Sequence, residues 1–139
     1  MEIKIGSKKI GAAYPTYFIA DIAANHDGSL ERAKTLIKLA KEAGADAAKF
    51  QNFRATKIVS EYGFTHMNAQ VSHQAKWKKS VVEVYDGASV PFNWSPILKE
   101  TCDAEGIDYF SSPYDFEAID MLDTYVPAYK IGSGDITWI

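Results

Sequence analysis

Short apolar runs alternate along this chain with segments of helical period, and that alternation restricts the fold more than any other feature. Tyr17 to Ala23 is rich in Phe and Ile and reads as a strand buried on both faces, ending in the loop cluster Asn25, His26, Asp27 and Gly28. A helix follows, capped by Ser29 or Asp27, with Ala33, Leu36, Ile37, Ala40 and Ala43 at three- and four-residue spacing. Arg32, Lys34, Lys38 and Lys41 occupy its other side, and Gly44 supplies the stop. Ala45 to Phe50 then reads as a second buried strand, so the unit is βαβ with parallel strands and a right-handed crossover. Before it, the first dozen residues, with Lys8, Lys9 and Gly11, read as a short hairpin or strand.

From Gln51 to about Val90 the rhythm breaks. Residues Gln74 to Val84 have a helical pattern, and the rest reads as a long excursion, which inside a compact domain is usually functional or disordered. Its aromatic residues Tyr62, Phe64, Trp77 and Tyr85 argue against disorder. The alternation then resumes. Ser95 and Pro96 start a helix with Pro at its first position, Ile97, Leu98, Thr101 and Cys102 form its apolar face, and Gly106 ends it. Ile107 to Ser111 is a third strand. Asp115 caps another helix whose inner face is Ile119 and Leu122, Pro127 breaks it, and Tyr129 to Gly132 starts a fourth strand. With no helix to cover that strand, the chain reads as part of a longer one.

Composition excludes several classes. A net charge of -3 offers no broad attraction to nucleic acid or to acidic membranes. No apolar run approaches the roughly 20 residues of a membrane span, and the start lacks a signal-peptide core. One cysteine, Cys102, cannot build a disulfide framework and fits a reducing, cytoplasmic setting.

In parallel α/β folds, ligands bind where strands end. The first strand delivers Asp21, Asn25 and His26, and the second Lys49 and Gln51. The third delivers Ser111, Ser112, Pro113 and Tyr114, and the fourth Lys130, Ser133 and Asp135 among glycines. Ammonium groups supply point charge to phosphate or carboxylate, and serine hydroxyls and glycine-flanked backbone supply donors. The set suits a small, doubly charged anion. Asp21 and Asp135 would repel that anion and suit a neutral polyol or proton transfer, and Asp21 could equally form an ion pair with Lys49 or Lys130. His66 and His73 lack ligand spacing with each other, so no metal site is expected from them.

These same residues resemble the sialic acid synthase (NeuB-like) family. Four blocks carry the likeness: Ile19 to Gly28 (IADIAANHDG), Gly44 to Gln51 (GADAAKFQ), Ser111 to Asp115 (SSPYD) and Val126 to Asp135 (VPAYKIGSGD). The likeness spans most of the chain, the excursion excepted. It implies a (β/α)8 TIM-barrel type of α/β fold, with residues 1–139 forming about the first four βα units. An active-site excursion would occupy about 52–90, and the second half-barrel and the C-terminal antifreeze-like domain would be absent.

The implied reaction condenses phosphoenolpyruvate with the open-chain aldehyde of an N-acylated amino sugar, giving a nonulosonic acid and phosphate. Carried over by position, Lys49, Ser112, Lys130 and Ser133 would hold phosphoenolpyruvate. Asn25, His26, Gln51 and Tyr114 would shape the site, and Asp21 and Asp135 would face the sugar or assist proton steps. The family's divalent metal, Mn or Mg, is held by histidines of the second half, so none of this chain's residues is expected to bind it.

Three departures stand out. Asp21 and Asp135 occupy positions that are normally Glu, each with about 1.5 Å less reach. Ser112 and Tyr114 replace Thr and Phe. A half-barrel would leave sheet edges open, so homodimerisation or association through those edges is expected, and the fragment alone is expected to be inactive. Two other readings use the same residues: a Schiff-base aldolase with Lys49 or Lys130 as nucleophile, and a non-catalytic phosphate-binding or interaction module.

Overall fold

The computed structural model describes residues 2–66 and 77–137. Strands β1 (Ile3–Ile5) and β2 (Lys8–Ile10) pair antiparallel with Ile5 opposite Lys8. Gly6 and Ser7 make the turn, and Gly6 at φ +55° adopts the left-handed conformation that a two-residue hairpin needs. Three parallel strands follow, β3 (Ile19–Ala23), β4 (Ala47–Asn52) and β5 (Asp108–Pro113), side by side in that order.

Helix α1 (Leu30–Glu42) connects β3 to β4. The Ser29 side chain caps it by accepting the Arg32 amide, and Gly44 at φ +86° lets the chain turn away after Ala43. Three short helices follow β4: α2 (Ala55–Ile58), α3 (Glu61–His66) and α4 (Val81–Ala88). A 3-10 turn (Phe92–Trp94) leads into α5 (Ser95–Glu105), and α6 (Phe116–Leu122) follows β5.

Strand parity divides the sheet. Ala48, Phe50 and Tyr109 face the helices and join Ile22, Ala33, Ile37, Leu98, Cys102 and Leu122 in one core. Each large side chain fully buried there contributes roughly 1.5–3 kcal/mol. Lys49, Gln51, Phe110 and Ser112 occupy the alternate positions and so share the opposite face.

The hairpin lies across the starts of β4 and β5. Lys8 pairs with Asp46, which also accepts the Phe18 amide at 2.7 Å, and the Tyr17 hydroxyl donates to Asp108 at 2.5 Å. Bonding from Lys8 and from that amide holds the Asp46 carboxyl below its ordinary pKa.

Several expectations are corrected. Strand β3 is not buried on both faces: Ile19 and Asp21 are exposed, because no described strand covers its outer edge. The fourth strand, Tyr129–Gly132, is reduced to a single parallel bridge between Tyr129 and Ser111, with no described neighbour on its far side. Helix α4 runs Val81–Ala88 and so overlaps only the end of the expected Gln74–Val84, because Ser80 and Glu83 form a reciprocal capping box that starts it at Val81; residues 74–76 of that range, and His73, lie outside the described residues.

Helix α5 starts one residue before Pro96, without a side-chain cap, because the Ser95 hydroxyl is buried in a polar network. The inner face of α6 is Ala118 and Leu122, whereas Ile119 is 38% exposed. Among the described residues, no helix is long and apolar enough to cross a membrane.

Candidate functional site

The face opposite the helices brings together the strand-end residues that the sequence singles out. Asp21, Lys49 and Phe110 lie in one row across β3, β4 and β5, and Gln51 and Ser112 lie in the next row along β4 and β5. Lys130 follows the Tyr129 bridge, and its amide donates to the Ser111 carbonyl at 3.3 Å, which places it beside Ser112 on this rim.

The Lys49 ammonium contacts Asp21 at 2.8 Å. The lysine side chain is 5% exposed and the aspartate 63%, so the pair runs from the sheet surface outward to solvent. Burial strengthens that attraction, but the ammonium depends on its partner, because an unpaired buried charge is costly. Ser112 is fully buried, and its hydroxyl has no hydrogen-bond partner. Such an orphan costs about 1–3 kcal/mol unless another group meets it.

A cavity of about 1130 Å³ opens at the C-terminal ends of β4 and β5, and Gln51, Tyr114, Lys130 and Asp135 line it. The Tyr114 ring stands edge-on to Phe53 at 5.9 Å, and Phe53 in turn lies 6.0 Å from Tyr85, forming an aromatic wall from strand end to excursion. Burial, and then the charges of Asp135 and Asp21, raise the Tyr114 hydroxyl above its ordinary pKa. Gly132 permits this close arrangement: a Cβ there would collide with the Asp135 carboxylate and lie 3.1 Å from Tyr114 Cε1.

Three sequence-selected residues stand apart. Ser133 is exposed on the turn after Lys130 and does not line the cavity. Asn25 is also exposed, and its side-chain amide donates to the Ile22 carbonyl at 2.9 Å. His26 is fully buried on the helix side of the sheet, edge-on to Trp94 at 5.5 Å. Its Nδ1 accepts the Gly28 amide at 3.1 Å, so Nε2 carries the proton and donates to the Ala88 carbonyl at 3.2 Å. Desolvation lowers its pKa, which favours this neutral form.

Both His26 nitrogens are thus engaged, and among the described residues no three His, Cys, Asp or Glu side chains cluster as a metal centre requires. The divalent metal implied by the family resemblance does not fit the donor set described here.

Sequence reading misses a buried polar network that holds the excursion to the sheet. The Ser111 hydroxyl donates to Asn52 Oδ1 at 2.6 Å, and the Asn52 amide donates to the Val90 carbonyl at 3.3 Å. The Val90 amide donates to the Gln51 carbonyl at 3.2 Å, and the Ser89 hydroxyl donates to the Phe53 carbonyl. The available signal is parity: Asn52 and Ser111 share the side of Phe50 and Tyr109, where a polar group must find an internal partner.

The chain resembles known proteins over nearly its whole length. It is 39% identical over 84% of its length to a pseudaminic acid synthase of Campylobacter jejuni, covering 34% of that protein. It is 34% identical over 95% of its length to an N,N'-diacetyllegionaminic acid synthase of Legionella pneumophila, covering 37% of it. The chain therefore spans about a third of the length of the curated relatives it matches. Its fold matches the crystal structure of an N-acetylneuraminic acid (sialic acid) synthetase from Leptospira borgpetersenii in complex with citrate, with a TM-score of 0.76 and 28% identity. That match covers 98% of this chain and 42% of the other. Residues 36–139 match the NeuB family model, and the chain belongs to the NeuB family.

Proposed function

We propose that this chain supplies the phosphoenolpyruvate-binding rim of a synthase that condenses phosphoenolpyruvate with the aldehyde of an N-acylated amino sugar. The single observation behind this reading is the placement of Lys49 and Ser112, with its unpartnered hydroxyl, on one face of neighbouring strands β4 and β5, with Lys130 beside them just past the Tyr129 bridge. Two ammonium groups and a free donor complement a carboxylate and a phosphate ester carried on adjacent carbons. Ser133 would add a donor if its turn closes over the anion. Relatives named for pseudaminic and legionaminic acid synthesis support the same chemistry.

In this reaction, C3 of the enol attacks the aldehyde carbon and the aldehyde oxygen takes a proton. Water adds at C2, the bond from C2 to the phosphate oxygen breaks, and phosphate leaves with a 2-keto sugar acid behind. Asp21 and Asp135 flank Tyr114 and are the groups in reach of those proton movements or of the sugar hydroxyls. The chain forms the first βα units of a (β/α)8 barrel, with β3 and the Tyr129 bridge as the edges that the remainder continues. By itself it is inactive.

The test measures phosphate release from phosphoenolpyruvate with N-acyl amino sugars, using the 139-residue chain and the full encoded protein side by side. Release by the full protein, lost in Lys49→Ala and Lys130→Ala, is expected. Covalent trapping on Lys49 or Lys130 by borohydride would instead establish a Schiff-base aldolase.

A further inference from the structure

The turn after the Tyr129 bridge carries two glycines in unlike surroundings. At Gly134, which is exposed, a Cβ would meet nothing within 4 Å. At Gly132, which is buried, it would overlap Asp135 Oδ2 and lie 3.1 Å from Tyr114 Cε1. Neither glycine has a positive φ, so the two differ in space and not in backbone conformation. The Asp135 amide closes the turn on the Gly132 carbonyl at 3.0 Å, and Gly132, Tyr114 and Asp135 all line the cavity. Among the described residues, no side-chain hydrogen bond or ion pair holds the Asp135 carboxylate. Its place is set by the turn and by the space that Gly132 leaves beside the Tyr114 ring.

We infer that Gly132 is a positioning residue, whose missing side chain keeps open the place where the Asp135 carboxylate stands beside Tyr114. The assignment rests on the synthase reading, in which Asp135 serves the proton movements or the sugar hydroxyls, and adds the residue that aims it. An alanine at 132 meets first the free end of a side chain, whereas Tyr114 is braced edge-on by Phe53 at 5.9 Å. The carboxylate therefore retreats and the fold survives. Aspartate has few staggered alternatives, so a carboxylate denied that space has little other way into the cavity. A misplacement of about 1 Å at a reacting group costs on the order of 100-fold in rate.

The test uses the full encoded protein, phosphoenolpyruvate and the N-acyl amino sugar that the wild type turns over fastest. Gly132→Ala should lower kcat/KM for the sugar by roughly 10- to 100-fold, with KM for phosphoenolpyruvate within about twofold of the wild type. Gly134→Ala, in the same turn, should match the wild type in both. Asp135→Ala should lose at least as much as Gly132→Ala. Adding Gly132→Ala to it should cost less than about twofold more, because the carboxylate to be displaced is gone. A merely structural glycine would show its full loss in that background too.

Wild-type kinetics in Gly132→Ala would overturn the assignment, as would an equal loss in Gly134→Ala or additive losses in the double variant. If Gly132→Ala does not fold, Asp135→Asn and the double variant decide. A folded double variant with a loss of about 100-fold in Asp135→Asn supports the assignment, and an active Asp135→Asn or an unfolded double variant overturns it. A wild type that releases no phosphate with any N-acyl amino sugar overturns the synthase reading itself, and this assignment with it.

Discussion

The Nε2–H of His26 reaches the carbonyl of Ala88 at 3.2 Å, joining the loop after the first parallel strand to the returning end of the excursion. The residues are 62 positions apart, and the bond forms only with the imidazole neutral and Nδ1 accepting from Gly28. The motif around His26 thus anchors the end of the excursion whose Tyr85 and Ala88 line the cavity.

Replacing His26 by Ala should cost about 2–3 kcal/mol, from the cavity left and the orphaned carbonyl. The pH dependence follows from burial, which sets the folded pKa below 6.5. The unfolded chain then binds more protons, so the stability from His26 is fully present above about pH 6.5 and is lost as pH falls through the folded value. Thermal melts from pH 8 to 5 check this: the acid-side loss should be smaller in the Ala variant.

Adjacent serines should behave oppositely. Ser111→Ala removes the donor to Asn52 Oδ1 and leaves that oxygen buried and unpaired, costing about 1–3 kcal/mol. Ser112→Ala removes an oxygen that has no partner, so stability should hold or rise while phosphoenolpyruvate binding weakens. Denaturation midpoints together with KM for phosphoenolpyruvate separate the two.

Asp21→Ala should destabilise by about 1–2 kcal/mol, the modest figure reflecting the aspartate's exposure, because it leaves the buried Lys49 ammonium alone. Adding Lys49→Met should recover most of the loss while abolishing activity. A double-mutant cycle by urea denaturation measures the coupling.

Ala23 sits at φ +49°, at the register shift that ends β3. A left-handed alanine costs about 1 kcal/mol, and glycine returns part of that through unfolded-chain entropy, so Ala23→Gly should stabilise by about 0.5 kcal/mol. A lower melting temperature would show that the Cβ packs usefully.

The βα order was legible because period separates strand from helix over a long enough span: Ala33, Ile37 and Ala40 mark the α1 face in sequence and are buried in the fold. Strand-end polarity likewise located Gln51, Tyr114, Lys130 and Asp135, which line one cavity. What escaped depends on partners distant in sequence. Asn52 finds Ser111 and Val90, 59 and 38 residues away, and no local pattern encodes those distances. Tyr129–Gly132 carries strand-like residues but lacks a second described strand to pair with, and Ile119 carries helix-face spacing but borders the cavity.

The hairpin beneath the sheet has a steric corollary. With Lys8 and Tyr17 fastened at the starts of β4 and β5, that end of the sheet is closed off, and the cavity bordered by Tyr114 and Lys130 opens at the opposite end.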